Sequence, residues 1–310
     1  MNKLLFLTLL ALGYQTASAQ LVTESFGGTG ANAFTMEFVT IGNPGNVADT
    51  TGTPNPAGSV AYTYNLGKYE VSRGQIDKAN SAGSLGITLQ DMSSYGGNGV
   101  NRPATGVNWN EAAKYVNWLN TSTGGTAAYK FSGSTFQLWS STDAGYNANN
   151  PFRNSNAKFW LPSTDEWYKA AYGNLNGTWN NYATGSDSAP TAVASGTAAN
   201  TAVYNGLTGP ADITSAGGLS PYGTMGQGGN VTEWTETAFD GTNNTAGENR
   251  DTRGGFWDSL SANIDASGRA TVSPAGGGFL TGFRIASVPE PSTGLLVVLG
   301  LSGLLFKRRK

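Results

Sequence analysis

Neither cysteine nor histidine occurs anywhere in the 310 residues. The first absence excludes disulfides and thiolate nucleophiles, and the second removes the commonest general base. Together they withdraw the ligands that zinc, copper and non-haem iron sites normally need, so none of these metals is expected. Charge is scarce as well. Only 12% of residues are charged and the net charge is −2, which leaves no basic footprint for nucleic acid. A metal in this chain would belong to the hard, oxygen-liganded class, and calcium is the expectation.

What the chain has in excess is glycine, 44 residues, about twice the usual share. With the many Asn, Thr and Ser residues this predicts a loop-rich body with few, short helices. Both ends carry address-like segments. Met1-Asn2-Lys3, the apolar run Leu4–Leu12 and Ala17-Ser18-Ala19 read as a secretory signal peptide, residues 1–19, cleaved before Gln20. At the other end, Val288-Pro289-Glu290-Pro291-Ser292 precedes the apolar run Gly294–Phe306 and the basic Lys307-Arg308-Arg309-Lys310. Fourteen residues from Thr293 to Phe306 make about 21 Å of helix against about 30 Å of hydrocarbon. The run reads as a short transmembrane anchor with its basic end on the cytoplasmic side. Residues 20–287 remain, enough for one large domain.

Within that body, Phe34–Ile41 alternates like a strand, and residues 61–67 and 69–72 read as further strands. Residues 80–104 read as a surface loop. Asn108-Trp109-Asn110-Glu111 is a capping box, and the helix after it gathers Ala112, Tyr115, Val116 and Leu119 on one face. Ser163-Thr164-Asp165-Glu166 is a second box opening a short helix through Trp167, Ala170 and Ala171. Both glutamates are thereby explained as caps. The segments 253–257 and 282–286 read as short buried strands, with Arg284 paired rather than catalytic.

The stretch Gly226–Trp234 suits neither a helix nor an ordinary strand. Its glycines open backbone angles closed to other residues, Glu233 adds a carboxylate, and Trp234 is expected to anchor the turn in the core. A tight turn without an ion and a calcium-binding turn both fit these nine residues.

The tail resembles the PEP-CTERM sorting signal of Gram-negative bacteria: Pro-Glu-Pro at 289–291, an apolar run, and a terminal basic cluster. The resemblance implies export, transient retention in the inner membrane through 294–306, processing by an exosortase-type enzyme, and delivery to the cell surface, outer envelope or extracellular matrix. The body resembles the formylglycine-generating enzyme (sulfatase-modifying factor) family in pieces that run in family order. These are Tyr69–Ser72, Val107–Ala113, Trp160–Trp167, Tyr222-Gly223, Gly229–Trp234, Arg253–Gly255 and Gly282–Arg284. It implies an α+β, C-type-lectin-like fold. It also implies calcium at the carbonyls of Gly229 and Val231 and the carboxylate of Glu233, with Gly226 standing where the family has a side-chain ligand. A second family calcium site maps to Asn200, the carbonyl of Thr201 and Asp212. The family's two copper-binding cysteines map to Ser259 and Ile264, a poor copper ligand and a non-ligand, so formylglycine formation by that mechanism is excluded.

Three functional readings follow. The preferred one is a non-catalytic surface or matrix protein that uses the scaffold for binding, of polysaccharide in particular. Trp139, Tyr146, Trp179 and Tyr182 stand among polar residues and suit stacking on sugar rings. The second is an enzyme of altered chemistry built on carboxylate pairs, Asp165 with Glu166, Glu233 with Glu236, or Asp251 with Asp258. The third is a purely structural envelope or biofilm component.

Overall fold

The computed structural model describes residues 20–289, so residues 1–19, read as a signal peptide, and most of the sorting segment with its expected transmembrane run lie outside the described residues. In chain order the elements begin with strands β1 (Leu21–Phe26), β2 (Phe34–Ile41) and β3 (Tyr64–Gly67), then helices α1 (Arg73–Gly83) and α2 (Trp109–Ser122). A hairpin, β4 (Lys130–Ser132) with β5 (Thr135–Gln137), leads to β6 (Phe159–Trp160) and α3 (Thr164–Tyr172). After β7 (Thr191–Ala192) and β8 (Thr201–Ala202) come β9 (Thr232–Ala238) and β10 (Arg250–Arg253). Helix α4 (Ser261–Ile264), β11 (Arg269–Val272), β12 (Thr281–Gly282) and β13 (Ala286–Ser287) complete the fold. Among the described residues no helix is long and apolar enough to cross a membrane.

Two sheets carry the architecture. One has the strand order β1-β2-β3-β13-β6 and the other β11-β10-β9-β12. This is the α+β, loop-rich class expected. The alternation in Phe34–Ile41 puts Phe34, Met36 and Phe38 in the core, as a half-buried strand requires. Helix α2 starts at the Asn108/Glu111 capping box and buries Ala112, Tyr115, Val116 and Leu119. Helix α3 starts at the Ser163/Glu166 box. Two indoles then bind the layers together. Trp109 Nε1 donates to Thr235 O at 3.0 Å, and Trp234 Nε1 donates to Val107 O at 2.9 Å.

Three expectations change. Residues 73–83 form a helix where no helix was expected, and it reaches into the segment 80–104 read as a loop. Its start is the Ser72/Gln75 capping box, but only Ile76 and Ala79 mark an apolar face. Residues 69–72 are extended without a sheet partner over their length. Val71 N donates to Phe283 O, Ala104 N to Val71 O, and Ser72 forms a single bridge with Pro103. The segments 253–257 and 282–286 are each only partly strand, because β10 stops at Arg253 before two glycines with positive φ and residues 283–285 lie between β12 and β13.

Candidate functional site: a polar cavity beside the Gly226–Trp234 turn

The turn is held from below by a buried ion pair. Arg284 and Glu233 are both fully buried, and the guanidinium meets the carboxylate through Nε–Oε2 and Nη2–Oε1 contacts of 2.6 Å each. Trp167 Nε1 donates to Glu233 Oε2 at 2.7 Å, and Arg284 also donates to the carbonyls of Gly67 and Met225. The expectation that Arg284 is paired is thus met. Positive φ falls at Gly226, Gly229 and Asn230, while Gly228 keeps an ordinary angle. At Gly229 a side chain would strike the carbonyl of Val203 at 2.2 Å, so glycine is required there. Asn230 latches the turn to two neighbours. Its Nδ2 donates to Glu70 Oε2 at 2.5 Å and its Oδ1 accepts from Ala211 N at 2.7 Å. Burial, and then the nearby charge of Glu233, hold the Glu70 carboxyl well above the usual carboxylate range.

These contacts bear on calcium. Glu233 accepts three short hydrogen bonds and its charge is met by Arg284, so its carboxylate does not fit the role of a free anionic ligand. At the second expected position, Asn200 Oδ1 accepts from Thr184, Thr201 O accepts from Gly218 N, and Asp212 pairs with Arg102 at 3.3 Å. Among the described residues no group of three or more Asp or Glu side chains could hold a metal. The copper donors fit no better. Ser259 Oγ accepts from Phe256 N at 3.0 Å, and Ile264 is buried against Ala202 and Tyr204.

Ser259 nevertheless lines a cavity of about 290 Å³. Its walls are Thr232 from β9, Thr252 from β10, Arg269 and Ala270 from β11, Gly254–Phe256 with Asp258 and Leu260 from the loop after β10, and Asn263 from α4. Arg269 is fixed by Asp251 (Nε–Oδ1 2.8 Å) and by the carbonyl of Phe239 (2.8 Å). Its Nη1 has no hydrogen-bond partner among the described residues. Beyond Phe256 lies Trp257, which packs against Tyr95 and Phe279. The latter two rings stack at 5.1 Å and each is 37% exposed. Hydroxyls, an amide and a guanidinium beside the ring of Phe256 can hydrogen-bond to and pack against a polyhydroxylated ring. Among the described residues the hydrogen bond at the Ser259 side chain is the one it accepts from Phe256 N.

The aromatic residues singled out in the sequence lie elsewhere. Trp179 packs on Tyr168 at 5.5 Å, Tyr182 joins the Ala202–Tyr204–Ile264 cluster, and Trp139 donates to Ala128 O. Tyr146 is exposed. None of the four lines the cavity, whereas Phe256, which does, was missed because it sits beside glycines with no periodic signal.

The carboxylate pairs separate in the same way. Glu236 accepts from Tyr129 OH (2.9 Å) and Asn150 Nδ2 and lies 3.6 Å from Arg153, none of which is a hydrogen-bond partner of Glu233. Asp251 is buried with Thr164 and Arg269 while Asp258 is exposed. Asp165 caps Gly58 N, whereas Glu166 accepts from Tyr62, Trp160 and Ser163.

Comparison with known proteins agrees with this architecture. The model of the sulfatase-modifying factor enzyme 1-like domain matches residues 31–288, and the PEP-CTERM protein-sorting motif matches residues 287–310. That motif marks the chain for export and for sorting to the surface or outside of a Gram-negative cell, with processing by an exosortase-type enzyme. No curated protein matches. Among solved structures, Treponema denticola variable protein 1 is similar at 20% identity with a TM-score of 0.62, covering 86% of this chain and 99% of its own. A structure titled CarF is similar at 17% identity and TM-score 0.57, covering 82% and 99%. PvdO from Pseudomonas aeruginosa is similar at 16% identity and TM-score 0.52, covering 82% and 95%.

Proposed function

The chain belongs to the sulfatase-modifying factor enzyme 1-like domain family, and from that premise we propose that it is a non-catalytic member whose cavity binds an extracellular polysaccharide. One observation carries the reading. Ser259, to which the resemblance maps the family's first copper cysteine, lines a cavity of about 290 Å³ whose wall also carries Thr232, Thr252, Asn263, Arg269 and Phe256. Such a volume is at the low end of small-ligand pockets, about 300–1,000 Å³, and suits one sugar unit of a longer chain. Sorting to the surface or outside of the cell supports the choice of ligand class. While the apolar run 294–306 is retained, the inner membrane is the second partner.

The test is a binding isotherm of the chain for the polysaccharide of its own envelope. Asn263→Ala and Phe256→Ala should each weaken binding at temperatures where the variant is still fully folded, with a modest fall in melting temperature from the lost Leu260 N–Asn263 bond and the lost Phe256 packing. Full affinity in both variants would remove the cavity from the reading.

A further inference from the structure

Both ends of the folded body leave from the same end of the five-stranded sheet. The strand register places Asn65 opposite Thr40 on one side and Ser287 on the other, and Ser287 in turn faces Phe159. A line of hydrogen bonds runs along this row. Thr40 N donates to Gln20 O at 3.0 Å, Thr40 Oγ1 to Asn65 Oδ1 at 2.9 Å, and Asn65 Nδ2 to Val288 O at 3.4 Å. Gln20 and Ser287 are thus three strand spacings apart, about 14 Å. Val288 N is still bonded to Lys158 O, so the body's hydrogen bonding extends to the residue before the Pro-Glu-Pro motif. The exposed apolar side chains at this end are Leu21, Tyr62 and Val288.

No spacer separates this sheet from the apolar tail. Five residues, 289–293, lie between Val288 and Gly294, and their extended length is at most about 18 Å. The headgroup layer takes up about 6 Å of that. A body of this size has a radius of gyration of about 18 Å, so the remaining slack, about 12 Å, is too short for it to turn over on its tether. We propose that the end of the five-stranded sheet formed by Gln20, Thr40, Asn65 and Val288 is the surface this protein presses against the lipid headgroups while residues 294–306 are inserted. None of these four residues lines the cavity.

The lack of native cysteine makes the test direct. Leu21→Cys, Val288→Cys, Val100→Cys and Leu260→Cys, all at exposed positions, are labelled with a fluorophore in the chain that retains its tail. Val100 is bonded to Gly74, beyond the opposite end of β3, and Leu260 sits on the cavity rim. In phosphatidylcholine–phosphatidylglycerol vesicles carrying a headgroup-attached quencher, labels at 21 and 288 should be quenched several-fold more than those at 100 and 260. Equal quenching at all four would overturn the proposal. A flexible Gly-Ser insert of about 20 residues after Val288 adds an r.m.s. reach of about 25 Å and should erase the difference. A difference that survives the insert would also overturn it, because the short tether would then not be its cause.

Discussion

Arg284 and Glu233 are the residues on which the turn at 226–234 depends. Removing one member of a buried pair leaves an uncompensated charge, so Arg284→Met should lower the unfolding free energy by about 3–5 kcal/mol in denaturant titration. Arg284→Met with Glu233→Leu should cost less than the single change. The same pairing predicts that millimolar calcium added to metal-stripped protein leaves the melting temperature unchanged. A clear rise would show that the carbonyls of Gly229 and Val231 hold the ion despite Arg284. Lys169 gives a pH signature. It is 1% exposed, its Nζ donates to Asn43 O at 2.8 Å, and burial pulls its pKa down from 10.5 to about 8. Below pH 8 both states carry the proton and the folded state bears the full desolvation cost. Between about 8 and 10.5 the unfolded chain binds more protons, so stability should rise with pH. Lys169→Met should abolish that part of the rise in urea titrations, read as the difference from the unmodified protein; an unchanged profile would assign the rise to other groups.

At the scale of elements, the capping boxes divide what the sequence disclosed from what it hid. Asn108/Glu111 and Ser163/Glu166 each precede a run with several apolar positions at helical spacing, so α2 and α3 could be read directly. Ser72/Gln75 is the same signal, but the helix it opens offers only Ile76 and Ala79, too little periodicity to stand out. Strands of two residues such as β6, β12 and β13 hold no alternation at all, and only their neighbours in the sheet define them. Asn108→Ala should cost about 1 kcal/mol, the usual value for an N-cap. Glu166→Gln should cost more than Asn108→Ala, since Glu166 also accepts from Tyr62 and Trp160 and lies 3.7 Å from Arg153. Thermal melts of the two variants compare them; equal losses would reduce Glu166 to a cap.

Across the whole molecule, the cavity is assembled from β9, β10, β11 and the loop that carries Ser259, segments brought together only by sheet register. The position of Ser259 was legible from the order of sequence pieces, while the walls were not, because Thr232, Thr252 and Arg269 carry no local signal of their own. The carboxylate pairs read from the sequence fail for the related reason that neighbours in the chain serve different clusters, as Glu233 and Glu236 do. On the proposed function the scaffold binds polysaccharide without altering it. The most direct measurement incubates the protein with its envelope polysaccharide and reads two quantities from one sample, the fraction bound and the chain length of the polymer recovered. Saturable binding, weakened in Asn263→Ala, with polymer recovered at its original length is the expected result. Shortened polymer would contradict the non-catalytic reading, and the absence of binding would contradict the scaffold reading.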